Sequence, residues 1–292
     1  MTTTKQKLKY FLDSFIKTVK FQGLTCPSCG HHGSDTVDRK YGVTRLLRCD
    51  NCKLLYRVPT TSDEEYSHYY QEDYSEGFTT DLPSVNKLKE MKDINFVGTE
   101  KDYSKYIDVL RALGCGDGDK LLDYGCSWGY GSWQFSQAGF VVKSFELSRQ
   151  RAEFASRHLS VDVYSYIPEI GKIGEPFDIF FSAHVLEHVP KLSGVIDLAR
   201  EVVRPGGLFI AYTPNGSSVY RNINPKGWHS SWGFVHPLVL DDVFYQTFFC
   251  GNHYLIDSYP YEVSKYSAWA SEKGESLVLR LDGAELLIAV RL

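Results

Sequence analysis

Residues 119–131, Asp-Lys-Leu-Leu-Asp-Tyr-Gly-Cys-Ser-Trp-Gly-Tyr-Gly, constrain the fold more than any other stretch. Leu121 and Leu122 read as a buried strand. It ends in an acid, Asp123, and runs into Gly125, Gly129 and Gly131 before a helical stretch. A strand that turns on glycines into a helix is how α/β sheets make a crevice for a nucleotide. Glycine is needed because the backbone turns sharply there and approaches the ligand more closely than a Cβ allows. The spacing is D-x-G-x-x-x-G, not the G-x-G-x-x-G of dinucleotide binders. Counted from Gly129, the third glycine of that pattern is replaced by Gln134.

Strands and helices alternate around this stretch. The patterning predicts helices over 99–113, 130–138, 148–159 and 191–203 and strands over 140–145, 161–165, 176–182 and 208–213. Such alternation implies α/β architecture with a parallel, doubly wound sheet. The tail differs. A helix over 237–249, opened by Pro237 with His236 at its cap, precedes strands near 253–259 and 284–291 with no helix between them, which predicts a final antiparallel pair.

A second acid, Glu146, closes the strand that begins at Phe140. A carboxylate there can accept from both hydroxyls of a ribose, while Asp123 can meet an ammonium, and S-adenosylmethionine (SAM) offers both groups. The fourth strand runs into Ser182-Ala183-His184-Val185-Leu186-Glu187-His188-Val189-Pro190, and the fifth is preceded by Arg204-Pro205-Gly206-Gly207 and followed by Pro214-Asn215. These four segments, in this order, resemble the motifs of the class I SAM-dependent methyltransferases. The resemblance implies a Rossmann-like, seven-stranded methyltransferase sheet over residues 99–292. It implies SAM as cofactor, held by Asp123, Tyr124, Gly125, Cys126, Gly129, Glu146, Leu147, Ser182 and His184. The acid usual after the third strand is absent, and Ser165-Tyr166 stands there.

Ahead of this domain lie Cys26-Pro27-Ser28-Cys29 and Cys49-Asp50-Asn51-Cys52, the spacing of a four-thiolate zinc site. Four thiolates leave no open position, so Zn²⁺ at Cys26, Cys29, Cys49 and Cys52 would be structural. The unit resembles a zinc ribbon. With the ribbon in front, the chain resembles a methyltransferase subgroup of bacterial sugar and surface-glycan pathways. Domains are expected at 1–60 (an amphipathic helix over 5–20, then the ribbon), 61–98 (a linker or cap rich in tyrosine, with Tyr66, Tyr69, Tyr70 and Tyr74) and 99–292. The apolar face of the first helix is expected to pack against the protein or a second protomer, so a homodimer is possible. With Lys+Arg 32 and Asp+Glu 36, the net charge of −4 gives no global hold on nucleic acid. No run of residues is apolar enough to span a bilayer, and the odd count of 7 cysteines speaks against a disulfide framework, so a cytoplasmic protein is expected.

The expected reaction is methyl transfer to a small molecule or sugar precursor, to a hydroxyl first of all. His184 or His236 is the expected base, with His188 and His229 behind them. The loop 215–235, with Tyr220, Arg221, Trp228, His229, Trp232 and Phe234, reads as a lid that stacks on the acceptor or as aromatic packing under a loop. Two alternatives stay open. One is an RNA 2′-O-methyltransferase with a divalent metal on His184, Glu187, His188 and His236, and the other is a non-catalytic scaffold.

Overall fold

A computed structural model describes residues 4–20, 23–60, 62, 81–171, 174–271 and 275–292. The tyrosine-rich stretch of 63–80, and with it the expected cap, lies outside the described residues. The chain opens with α1 (Thr4–Val19), then β1 (Ser34–Lys40), β2 (Thr44–Cys49) and β3 (Leu55–Val58). After the undescribed stretch come α2 (Val85–Asp93) and α3 (Ser104–Ala112). The alternating part runs β4 (Lys120–Tyr124), α4 (Tyr130–Gln137), β5 (Val141–Phe145), α5 (Arg149–Leu159), β6 (Val163–Tyr164), α6 (Ile167–Ile170), β7 (Phe177–Ala183), α7 (Leu192–Val202) and β8 (Val203–Pro214). The rest is α8 (Ser218–Ile223), α9 (Pro225–Ser231), β9 (Leu238–Val239), α10 (Asp242–Phe248), β10 (Tyr254–Ser258), α11 (Tyr266–Ser271), β11 (Leu277–Val278) and β12 (Glu285–Arg291).

The main sheet has the order β11-β10-β12-β8-β7-β4-β5-β6. From β8 to β6 neighbours are parallel, and β12 runs antiparallel to both β8 and β10. This is the expected methyltransferase sheet with one correction. A two-residue edge strand, Leu277–Val278, joins parallel to β10 and makes eight strands instead of seven. The tail carries a second correction, because α11 lies between the last two long strands, where no helix was expected.

Alternation along each strand sends neighbours to opposite faces. Leu122, Phe180, Phe209 and Ile288 belong to one buried cluster, and Leu121, Phe181, Ile210 and Leu287 to the other. The first cluster does not stop at the sheet. It continues into Leu47, Leu54, Tyr56 and Val58 of the cysteine-bearing hairpin. On the hairpin's other face, Leu46 and Leu55 pack with Trp228, Trp232 and Val239. Its small sheet, β1-β2-β3-β9, takes the fourth strand from near the far end of the chain.

That strand explains two more departures. The expected helix over 237–249 begins only at Asp242, because Leu238 and Val239 pair with Tyr56 and Leu55. Asp241, not His236, is the cap, and its side chain accepts from the Phe244 amide at 2.8 Å. The expected loop over 215–235 folds into α8, capped by Ser217, and α9, capped by Asn224 with Pro225 behind it. Its tryptophans are packing groups, each 2% exposed. In α1, Ser14 is buried against the chain, whereas Phe11, Leu12, Phe15, Ile16 and Val19 are exposed, so the described residues of this chain do not cover that apolar face.

Candidate functional site

A cavity of about 850 Å³ opens beyond the carboxyl ends of β4, β5 and β7, the place where open α/β sheets bind ligands. Of the nine expected cofactor residues, Tyr124, Gly125, Glu146, Leu147 and His184 line it. Gly125 has φ 87°, and a Cβ there would lie 2.3 Å from Val185 Cγ2. The turn therefore needs glycine for both its backbone conformation and its close approach. Glu146 is 7% exposed. Its oxygens accept from the Ser127 amide at 2.9 Å and the Ser148 amide at 2.8 Å. Burial raises its pKa, and the two amides and Arg151 oppose that rise. Each oxygen keeps lone-pair capacity toward the cavity.

Asp123, Cys126, Gly129 and Ser182 do not line the cavity. Asp123 points under the turn, where it accepts from Ser132 Oγ at 2.6 Å, and burial pushes its pKa up to about 7 against that bond. Ser182 donates to the Tyr124 carbonyl at 3.2 Å and ties two strands together. A Cβ on Gly129 would lie 2.8 Å from the Ala155 Cβ, so this glycine seats α4 against α5. Cys126 is a buried thiol with a raised pKa, behind the turn.

Across the sheet edge sits a carboxylate that the sequence reading missed. Glu285 opens β12 opposite Pro214. One oxygen accepts from Lys105 Nζ at 2.7 Å and from the Tyr261 hydroxyl. The other accepts from the Tyr106 hydroxyl at 2.8 Å and lies 2.7 Å from His184 Nε2. Burial alone would raise the Glu285 pKa, but His184 and Lys105 hold it at about 2. Burial would likewise lower that of His184, but the carboxylates of Glu187 and Glu285 override it and push it up to about 10. His184 is therefore an imidazolium at neutral pH, not the free base expected of it. A lone acid at the head of the run Glu-Leu-Leu-Ile-Ala-Val was the signal available for Glu285. Between β5, which Glu146 follows directly, and β12 there are four strand spacings, roughly 19 Å at about 4.8 Å each. The cavity is thus long enough for two ligands end to end.

Between these ends Glu187, His188 and His236 converge, with one ligating atom of each within 4.8 Å of the others. Glu187 is 1% exposed, and neither of its oxygens has a hydrogen-bond partner. His184 Nδ1 and His188 Nε2 stand off at 3.6 and 3.9 Å. His188 Nδ1 donates to the Val235 carbonyl at 2.9 Å, and burial lowers the ring's pKa to about 4, so Nε2 is a bare lone pair. His236 Nδ1 donates to the Ser231 carbonyl at 2.6 Å, which leaves Nε2 as its open nitrogen. His229 is elsewhere, 2.6 Å from Asp38 of the cysteine hairpin.

Cys26, Cys29, Cys49 and Cys52 come together as a second such group. Two sulfur pairs are 3.5 and 3.6 Å apart, close to the about 3.8 Å edge of a tetrahedron with 2.3 Å metal–sulfur bonds. The hydrogen bond from the Cys26 thiol lowers the pKa of Cys52.

A family model described as "Methyltransferase domain" matches residues 99–248. The ubiquinone biosynthesis O-methyltransferase of Coxiella burnetii (strain Dugway 5J108-111) is 28% identical over 169 residues, 52% of this chain and 70% of that protein. The one of Paraburkholderia xenovorans (strain LB400) is 29% identical over 138 residues, 41% of this chain and 60% of that protein. Among solved structures, the plantazolicin methyltransferase BpumL, in complex with a pentazolic desmethylPZN analog and SAH, shares the fold at a TM-score of 0.50 and 10% identity. That match covers 78% of this chain and 96% of that one. No helix among the described residues is long and apolar enough to cross a membrane.

Proposed function

The chain belongs to the methyltransferase-domain family and is a SAM-dependent methyltransferase, and we propose that it methylates a hydroxyl of a small molecule. SAM lies along Tyr124, Gly125, Glu146 and Leu147, with Glu146 accepting from the ribose hydroxyls. The acceptor lies toward His184, His236 and Glu285. The observation that carries this reading is the one cavity joining the glycine turn to the histidine and glutamate groups. Oxygen is favoured as the acceptor atom by the printed names of the relatives, which are O-methyltransferases. Trp228 and Trp232, expected to stack on the acceptor or to pack under the loop, are packed against the ribbon and lend a sugar acceptor no support.

In the transfer the methyl carbon leaves the sulfonium sulfur, which keeps the bond's electron pair and becomes a neutral thioether. The acceptor oxygen supplies the new pair and sheds its proton. His236 is the base in this reading, because its Nε2 is open and it lines the cavity. His188 at about 4 is too weak a base, and His184 already carries its proton. Holding the two reactants in line supplies much of the acceleration, since positioning alone is worth about 7–11 kcal/mol.

Calorimetry with SAM tests the cofactor end. Glu146→Ala removes hydrogen bonds to a charged acceptor, worth about 1.5–3 kcal/mol, so the Kd for SAM should rise roughly tenfold to a hundredfold. An unchanged Kd removes Glu146 from the site.

The bare carboxylate of Glu187 favours a second reading of the same site. Its two unpartnered oxygens and the open nitrogens of His188 and His236 fit a divalent cation. Such a cation would polarise the acceptor oxygen as a Lewis acid. Thermal melts with Mn²⁺ or Mg²⁺ decide between the readings. At a hundredfold excess over its Kd a bound ion stabilises by about 2.7 kcal/mol, and Glu187→Gln should abolish that gain. If neither ion shifts the wild-type melt, the metal reading is lost and His236 stands as the base. The four cysteines are assigned a structural Zn²⁺ on their sulfur spacing.

A further inference from the structure

Arg48 bonds both the knuckle of the cysteine centre and Asp241, five residues beyond His236. Its Nη1 donates to the Lys53 carbonyl at 2.7 Å, inside the knuckle that carries Cys49 and Cys52. Lys53 in turn donates its amide to the Cys49 carbonyl at 3.1 Å. Nη2 of the same guanidinium pairs at 2.6 Å with Asp241, whose side chain is 1% exposed. Asp241 caps α10 and closes the segment 233–241. That segment pairs with β3 through Leu238 and Val239, and its Pro237 carbonyl accepts from the Arg57 amide at 2.7 Å. It also bonds the cavity wall, because the Leu238 amide donates to the Glu187 carbonyl at 3.2 Å. His236, which lines the cavity, sits inside it. None of the cavity-lining residues comes from the ribbon itself. This segment is therefore one hydrogen-bonded route from the cysteine centre to the site, beside the apolar packing that joins the ribbon to the sheet.

We propose that Arg48 is a positioning residue that couples the cysteine metal centre to the cavity wall carrying His236, so that emptying the centre releases that wall. The proposal rests on the assignment of Zn²⁺ to the four cysteines. The physical cause is the planar fork of the guanidinium, which bonds two partners at once in a fixed geometry. When the knuckle loses its metal, the Lys53 carbonyl moves and the fork loses one tine. Asp241 is then a buried carboxylate with a poorly held partner, and the local structure opens to hydrate it. Coupling of this kind is reciprocal, so weakening the Arg48–Asp241 contact should also loosen the metal.

The test uses the full zinc-loaded chain and two readouts. One is amide hydrogen exchange resolved by peptide. The other is the rate at which zinc passes to a coloured chelator. Stripping the metal should speed exchange over 233–241 at least tenfold and leave 119–131 and 177–183 unchanged. Arg48→Met should do the same with zinc present and should raise the zinc transfer rate at least tenfold. Asp241→Asn, which keeps a capping oxygen, guards against a misfolded Arg48 variant and should give the same pattern more weakly. Arg48→Lys should not restore the wild-type rate, since an ammonium cannot fork. Exchange over 233–241 that ignores the metal, or that rises equally across the whole chain, overturns the coupling. A purified protein without zinc, whose cysteines give no thiolate charge-transfer band with Co²⁺, removes the metal assignment and the coupling with it. SAM affinity, measured separately, reports on the methyltransferase reading alone.

Discussion

Glu285→Ala is expected to lower folding stability by about 3–5 kcal/mol, the usual cost of removing one partner from a buried ionic cluster. In a chain of this size that corresponds to a melting temperature lower by roughly 10 °C. The carboxylate serves Lys105, Tyr106, His184 and Tyr261 together, so its loss leaves four donors facing a small void. The pH dependence should change as well. The folded pKa of His184 is raised from 6.5 to about 10, so its contribution to stability is complete below pH 6.5 and is lost as pH rises through 10. That of Glu285 is depressed from 4.5 to about 2, so its contribution is present above pH 4.5 and is lost as pH falls through 2. Glu285→Gln should therefore flatten the decline of stability between pH 6.5 and 10. Denaturant melts across that range check it, and an unchanged alkaline slope would count against an ionised His184–Glu285 pair.

The second large effect is expected at the glycine turn. Gly125→Ala places a methyl 2.3 Å from Val185 Cγ2 in a backbone with φ 87°. Left-handed strain in a non-glycine residue costs about 1–3 kcal/mol, and the clash moves the turn that the proposed SAM site is built on. Affinity for SAM should fall at least a hundredfold. The double variant Gly125→Ala, Val185→Ala separates the two causes. It removes both Cγ atoms and leaves the Val185 Cβ position 3.2 Å away, so it should regain part of the affinity and none of the backbone cost. Full affinity in the single variant would show that SAM does not approach this turn.

Most of the main sheet could be read from periodicity, because each strand is a short apolar run between glycine or polar turns. Leu121-Leu122 and Phe180-Phe181 are typical. The cysteine spacing was legible for a similar reason, since ligand geometry leaves few choices. Other features depend on partners far away in the chain. Leu238 and Val239 are a strand only because Tyr56 and Leu55 present an open edge to them, and a two-residue pairing has no period of its own. Asp123 has the motif position of a ligand group, but its direction is set by Ser132 on the helix above it. Glu285 gains its role from Lys105, Tyr106, His184 and Tyr261, all distant in sequence. The caps of α8 and α9 were readable in principle, since Ser217 and Asn224-Pro225 are standard helix openings.

The pairing of Tyr56 with Leu238 has a consequence for biosynthesis. The two residues are 238 − 56 = 182 positions apart. A ribosome adding about 5–20 residues per second needs roughly 10–40 s to cover that distance. Throughout that interval the cysteine hairpin has emerged without the strand that seals its edge, and its thiols and apolar faces are open to solvent. Early capture of the Zn²⁺ proposed for these cysteines would protect the nascent hairpin from oxidation and from pairing with a neighbouring chain. Under metal starvation the yield of folded protein should therefore suffer during synthesis, before any finished molecule is affected.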